Sequence, residues 1–336
     1  MIRYVWFAAA SCAPVAFFML IARPVLNAFI VTCPPPEDAA EGAVPSLRWC
    51  LGGGFDAGLA AGDAAVYAAD ISGRYDYGIG VSAMALATLA AALAATACIV
   101  RLERPPLAAA VLALAVCAGA WTFWADLAAA NAVQGFLVEE TLRAAADLNR
   151  HAAGDADRLI AITNRLESFG YLGLSVFLAG LGVIAAPPER RSADALRERR
   201  RWLGLLLALG AFQFICFVFA TRSYLLIAAP YLSEDWRAPA EVMADALGRY
   251  WGFLGSAMLA IPGALAFASF AAESRALAAR EAPQGDPQAR RDWLAAQGLD
   301  LPVTQLIKQA AVVLTPFLSG PLLSLANLDW PALLGG

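Results

Sequence analysis

The ionisable side chains that could carry chemistry in this chain of 336 residues fall into two groups. Three aspartates recur every seven residues and therefore share one helix face, where their carboxylates could form a cation-attracting rim: Asp56, Asp63 and Asp70. A cluster of arginines could contact the headgroups of anionic lipids: Arg190, Arg191, Arg197, Arg199, Arg200 and Arg201. Each group has a structural alternative, which is a solvated helix face for the aspartates and the ordinary positive flank of a membrane helix for the arginines.

Motifs of common catalytic and cofactor sites are absent from the sequence. His151 is the only histidine, which excludes bis-histidine haem, histidine metal clusters and Ser-His-Asp triads. The sequence contains no C-x-x-C, no P-loop and no G-x-G-x-x-G after a strand. We therefore expect no cofactor and no metal, and we favour a non-enzymatic protein over a membrane enzyme acting on lipid.

The composition is that of a membrane protein. Hydrophobic residues make up 60% of the chain and charged residues 15%, and the mean hydropathy is +0.61. Ordinary soluble domains are about 45–50% apolar and about 25% charged. A net charge of −4 argues against nucleic acid as a partner. The expected partner is instead the lipid bilayer, including its anionic lipids.

Six segments are long and apolar enough for a helix to cross about 30 Å of hydrocarbon. They are Val5–Ala22, Gly78–Val100, Pro106–Trp124, Phe169–Ala186, Trp202–Ala220 and Trp251–Ala271. The sequence therefore predicts an all-α integral membrane protein of about six transmembrane helices arranged in hairpins. No Asp, Glu, Lys or Arg lies in the middle of any span, which disfavours ion-coupled transport.

The placement of arginine predicts the orientation. The positive-inside rule puts Arg3, then Arg101 and Arg104, and then the cluster Arg190–Arg201 in the cytoplasm, while the opposite segments are rich in Asp and Glu. Lys308 is the only lysine, and this skew towards arginine is typical of GC-rich bacterial genomes. We predict a multi-pass protein of a bacterial inner membrane with a cytoplasmic N-terminus.

Two cysteines fall in the first outer segment. Cys33 and Cys50 would face an oxidising periplasm, so we predict a disulfide between them, with two free thiols as the alternative. By the chain-entropy estimate such a bond contributes about 3 kcal/mol. The remaining four cysteines lie within spans, where they are interpreted as small buried hydrophobes: Cys12, Cys98, Cys117 and Cys216.

Helical patterns continue beyond the outer ends of the spans. The periplasmic segments are residues 24–77, 125–168 and 221–250, and we predict that their helical extensions form a small ectodomain. The first holds a helix over about Asp56–Ile71, and in the third Pro239 fits a first helical position. In the second, Gly154 ends one helix and Asp155 begins the next, at the tip of a hairpin that projects about 35–40 Å.

After a transmembrane domain of residues 1–271, residues 272–336 are expected to form a cytoplasmic tail. Its last part, Val303–Leu328, has an apolar face, but Pro316, Gly320 and Pro321 are expected to break it before it reaches spanning length. We predict an amphipathic interfacial or re-entrant element, with a seventh span as the alternative.

Two functional hypotheses follow. The first is a homo-oligomeric channel or pore, because passive conduction needs no charge at mid-membrane depth. Its polar lining would come from Ser82, Thr88, Thr96 or Ser256, with the aspartates at the mouth. The second is a scaffold or accessory subunit that binds a membrane or periplasmic partner through the projecting hairpin.

Overall fold

The computed structural model describes residues 64–128, 138, 142, 156–188, 192–282, 287–300 and 303–326. The regular elements in these ranges are helices, and no strand occurs among them. The helices are α1 (Ala64–Leu102), α2 (Pro105–Ala128), α3 (Ala156–Ala185), α4 (Ala193–Leu226), α5 (Glu234–Glu281), α6 (Pro287–Ala296) and α7 (Val303–Ala326). A short 3-10 turn, Ala229–Tyr231, connects α4 to α5.

Five of these helices, α1 to α5, are long and apolar enough to cross a membrane. They coincide with the second to sixth spans predicted from hydropathy, which confirms those five as apolar helices. The first predicted span, Val5–Ala22, lies outside the described residues. The described part of the chain is therefore a bundle of helices suited to a membrane.

Local sequence explains where the helices begin and end. Pro105 cannot continue α1 but fits the first position of α2. Ser192 caps α4 because its side-chain oxygen accepts a hydrogen bond from the Ala195 amide at 3.3 Å. Gly298 has φ +63°, the left-handed conformation that closes α6.

The bundle is organised around α4, which packs against α1, α3, α5 and α7, while α2 packs on the outside of α3. Small residues permit close approach between helices. A Cβ added at Gly180 would lie 2.8 Å from the Cβ of Ala95, so α1 and α3 meet almost backbone to backbone. Phe177 and Leu259 fill the space beside Gly210 in the main core cluster, and both side chains are fully buried.

Three helix boundaries differ from those expected from the sequence. The helix expected over Asp56–Ile71 and the second span form one helix in the described residues, because no proline or glycine pair interrupts the chain between Ala64 and Leu102. Pro239 does not start a helix, since α5 begins at Glu234 after Ser233 and includes Pro239 in its second turn. The sixth span also continues past Ala271, as far as Glu281.

The expected break near the C-terminal end of the chain was wrong. α7 runs without interruption from Val303 to Ala326, through Pro316, Gly320 and Pro321. It is not a detached surface element, because it packs along both α4 and α5. The helix end predicted at Gly154 and the start predicted at Asp155 lie outside the described residues, which resume in α3 at Ala156.

Candidate functional site

One end of the bundle carries Tyr77, Tyr224 and Tyr231, and we call it the tyrosine end. Asp70 forms a buried ion pair there. Arg74 donates from Nε to both carboxylate oxygens of Asp70, at 2.8 and 2.9 Å. The hydroxyl of Tyr231, from the turn between α4 and α5, is also hydrogen-bonded to Asp70. Asp70 is only 5% exposed, so it does not form part of the exposed rim expected from the sequence. The two other aspartates, Asp56 and Asp63, lie outside the described residues.

A second network at the tyrosine end joins α1, α3 and α4. The hydroxyl of Thr163 donates to the carbonyl of Leu159 at 3.0 Å, which uses its only proton. The Tyr77 hydroxyl, 2.6 Å from Thr163 Oγ1, is therefore the donor in the bond between them. The Tyr77 ring also packs against the Tyr224 ring, with centroids 5.2 Å apart. Sequence spacing gives no signal for this network, because its members come from three distant segments.

An ion pair links α4 to α5 at the same end. Arg222 donates from Nε to Asp245 at 2.6 Å, and both side chains are largely buried. Arg222 therefore pairs with an acidic side chain of the neighbouring helix. The ends of α1, α3, α4 and α5 are thus tied together by polar contacts.

A small cavity lies just below these contacts. Tyr77, Thr163 and Thr221 supply its polar wall, and Met84 and Phe217 are among its apolar neighbours. Its volume of about 20 Å³ suffices for roughly one water molecule. The cavity can therefore hydrate the hydroxyl network, but it is too small for a substrate.

At the opposite, arginine-rich end, Arg199 caps a helix rather than facing lipid. It donates to the carbonyl oxygens of Ile184, at 3.2 Å, and of Ala186, which end α3 and have no partner within their own helix. Glu103, at the end of α1, lies 3.9 Å from the guanidinium. Arg199 is only 5% exposed, so it does not fit the predicted contact with anionic lipid.

Arg200 connects the end of α6 to the start of α7. It donates to the carbonyls of Gly298 and Asp300 at 2.7 and 2.9 Å. Arg197 pairs with Asp194 on its own helix at 2.7 Å, and Arg201 is exposed. Within the arginine cluster, Arg199 and Arg200 therefore bind backbone carbonyls at helix ends, whereas Arg197 and Arg201 provide surface charge. Its first two members, Arg190 and Arg191, lie outside the described residues.

The polar residues proposed to line a pore occupy different environments. Ser82 is exposed on the bundle surface, and Thr96 donates to the Ala92 carbonyl on its own helix at 2.8 Å. Ser256 accepts a hydrogen bond from the Phe317 amide at 3.0 Å. Thr88 is 1% exposed and its hydroxyl oxygen has no hydrogen-bond partner in the structure.

A second unpartnered oxygen lies at a similar depth. Gln213 on α4 is 5% exposed, and its side-chain carbonyl oxygen makes no hydrogen bond. A Cβ at Gly80 would lie 3.0 Å from Ala220, which fixes the level at which the antiparallel helices α1 and α4 meet. Counting along both helices from that contact places Thr88 and Gln213 at about the same level, near the middle of the bundle.

The cysteines show no assembled redox site in the described part of the chain. Cys98 and Cys216 are buried free thiols, as expected for small core residues, whereas Cys117 is exposed on the surface of α2. Cys33 and Cys50 lie outside the described residues, so their disulfide stays a prediction. Within those residues, no group of three or more His, Cys, Asp or Glu side chains is placed to hold a metal ion.

The fold and these networks define the class of the protein, which is a helical membrane protein with a polar network at each end of its bundle. Comparisons with protein-family models, curated proteins and solved structures find no match for this chain. Its function must therefore be argued from its own residues.

Proposed function

We propose that this is a non-enzymatic scaffold or accessory subunit of a bacterial inner membrane, which binds a membrane or periplasmic protein through its tyrosine end. The proposed topology has six spans, including Val5–Ala22, with the N-terminus and the arginine-rich end in the cytoplasm. Residues 24–77, 125–168 and 221–250 then contribute a periplasmic ectodomain. The surface arginines of the cytoplasmic side, including Arg197 and Arg201, are left to contact anionic lipid.

Helix length supports the ectodomain. The 39 residues of α1 and the 48 residues of α5 are about 58 and about 72 Å long, against about 30 Å of hydrocarbon. Charged residues such as Asp70, Asp76 and Asp245 mark the parts of both helices that exceed the apolar stretch at the tyrosine end. The Arg222–Asp245 ion pair joins α4 to α5, and the Tyr77–Thr163 hydrogen bond joins α1 to α3.

The observation that carries the proposal is a set of exposed apolar side chains on these projecting parts. Ile71 and Tyr75 lie one turn apart on α1 and are 54% and 72% exposed, and Val242 on α5 is 66% exposed. If these parts of the helices lie beyond the hydrocarbon, as proposed, lipid does not cover these side chains. Exposed apolar side chains on a rigid surface are typical of protein-binding sites.

Photo-cross-linking in intact cells tests this proposal. A photoreactive residue replaces Tyr75 or Val242, and Leu86, which is 68% exposed within the apolar stretch of α1, provides the matched control. We expect one discrete protein adduct from the first two positions and only lipid adducts from Leu86. Lipid adducts alone at all three positions would contradict the proposal.

A homo-oligomeric channel is the second candidate, favoured by the unpartnered oxygens of Thr88 and Gln213 inside the bundle. Cross-linking to a second copy of the chain would support it over the scaffold. In planar bilayers a channel of this kind should lose conductance on Thr88→Val but not on Thr96→Val, because Thr96 already bonds its own helix. If no current flows at every voltage, pH and tension tested, the channel is eliminated as a candidate.

A further inference from the structure

α7 enters the bundle from a well-defined turn at the arginine-rich end. α6 closes on Gly298, where the amides of Gly298 and Leu299 donate to the carbonyls of Ala295 and Leu294, at 2.9 and 2.8 Å. Arg200 donates hydrogen bonds to the carbonyl oxygens of Gly298 and Asp300, on either side of Leu299. This clamp fixes the point from which α7 starts.

The middle of α7 packs into the bundle. Val312 and Val313 lie against the main core cluster formed by α1, α3, α4 and α5. On the opposite side of the helix, Ile307, Leu314 and Leu318 are 63%, 50% and 49% exposed. A helix with one side in a membrane-protein core and an apolar outer side is covered by lipid and not by water.

α5 accommodates Pro316 of α7. Pro316 has no amide hydrogen, and its ring displaces the helix backbone around it. The next amide, of Phe317, donates to the Ser256 hydroxyl of α5 at 3.0 Å. Gly252, one turn away, has no side chain, and any Cβ there would collide with the Pro316 carbonyl oxygen. A neighbouring helix thus supplies both the hydrogen bond and the space that a proline inside a membrane helix needs.

The contacts of α7 along α5 show how far α7 extends through the bundle. Leu299 packs with Phe270 at the arginine-rich end, and Phe317 lies against Phe253 and Ser256. The distance along α5 from Phe270 to Ser256 is about 21 Å at 1.5 Å per residue. From Phe317, α7 continues to Ala326, which adds about 13 Å. The 24 residues of α7 therefore extend about 36 Å, more than the hydrocarbon thickness of about 30 Å.

We infer that α7 crosses the membrane as an additional spanning helix, so that its end at Ala326 reaches the side of the membrane opposite to Arg200. Ser256 and Gly252 are positioning residues for this helix, because they compensate for Pro316. The inference holds for a scaffold and for a channel alike. It replaces the interfacial or re-entrant element expected from the sequence.

Cysteine labelling tests the inference. In a background without the native cysteines, single cysteines are placed by Asn327→Cys, Leu328→Cys, Asp76→Cys and Gln288→Cys. An impermeant maleimide is applied to intact spheroplasts and to inverted vesicles. We expect N327C and L328C to label from the same side as D76C, and to lose labelling on the side where Q288C reacts.

Two results would overturn the inference. Labelling of N327C and L328C from the Q288C side would show a re-entrant or interfacial helix. Failure to label from either side, with full reaction after detergent denaturation, would show that α7 ends inside the bilayer. Two neighbouring cysteine positions protect the test against misfolding of one variant, and the D76C and Q288C proteins report the sidedness of each preparation.

Discussion

Two arginines at the arginine-rich end of the bundle show how burial changes the role of a charge. Arg199 and Arg201 are two positions apart on α4, yet one is buried on the carbonyls that end α3 and the other is exposed. A cation at a helix C-terminus neutralises carbonyls that have no partner in their own helix. The same residue type therefore stabilises a helix end at one position and provides surface charge two positions further along the helix.

Asp70→Asn should destabilise the protein, whereas Asp76→Asn should not. Asp70 is buried and accepts two hydrogen bonds from Arg74, so its loss should cost about 1–3 kcal/mol. Asp76 lies on the same helix but is exposed. Thermal unfolding in detergent provides the measurement, and the expected fall in apparent Tm is about 2–4 °C per kcal/mol. Equal Tm values for the two variants would mean that the buried pair contributes nothing to stability.

The role of Asp70 could not have been predicted from sequence spacing. A seven-residue repeat shows only that Asp56, Asp63 and Asp70 share a helix face, and it does not show what that face contacts. Asp70 interacts with Tyr231, which lies on a turn distant in the chain. A helical pattern thus predicts which residues are neighbours on one helix, but burial depends on tertiary contacts.

At the scale of helices, glycine positions decide how closely two helices approach. A Cβ at Gly119 of α2 would lie 2.9 Å from the Cα of Leu172 on α3, and backbone atoms cannot move away without shifting the whole helix. At Gly170, also on α3, a Cβ would meet nothing within 4 Å. One glycine therefore permits packing, and the other only makes its helix more flexible.

Alanine at these two glycines should have opposite effects on stability. Gly119→Ala should destabilise the protein by about 1–3 kcal/mol because it overpacks the α2–α3 contact. Gly170→Ala should stabilise it by roughly 0.5–1 kcal/mol because alanine is the better helix former. Apparent Tm values in detergent, with the wild type beside them, check both signs. A rise for G119A would show that α2 is not held against α3 as described.

The sequence predicted the presence of the helices more accurately than it predicted where they end or break. Hydropathy located five helices correctly, because transfer into lipid depends on local composition. The continuity of α7 could not be predicted in this way. Pro316 is compatible with a helix only because Ser256 and Gly252 lie beside it on α5, and no local pattern contains that information.

For the whole molecule, the division of charge between the two ends of the bundle predicts an orientation. Arg199, Arg200 and Arg201 all lie at one end, and the exposed Asp76 lies beyond the apolar stretch of α1 at the other. By the positive-inside rule we expect the arginine-rich end to be cytoplasmic. The exposed apolar side chains of the tyrosine end would then face the periplasm, where a periplasmic protein can reach them.

Single cysteines at four positions should report this orientation. In a background without native cysteines, substitutions at Ala65 and Ala153 should react with an impermeant maleimide in cells with a permeabilised outer membrane. Substitutions at Ser192 and Ala282 should react only after the inner membrane is opened, because the positive-inside rule predicts that the arginine-rich end lies in the cytoplasm. Labelling at position 192 in cells with an intact inner membrane would reverse the topology. The docking surface proposed here would then face the cytoplasm, and its partner would have to be sought there.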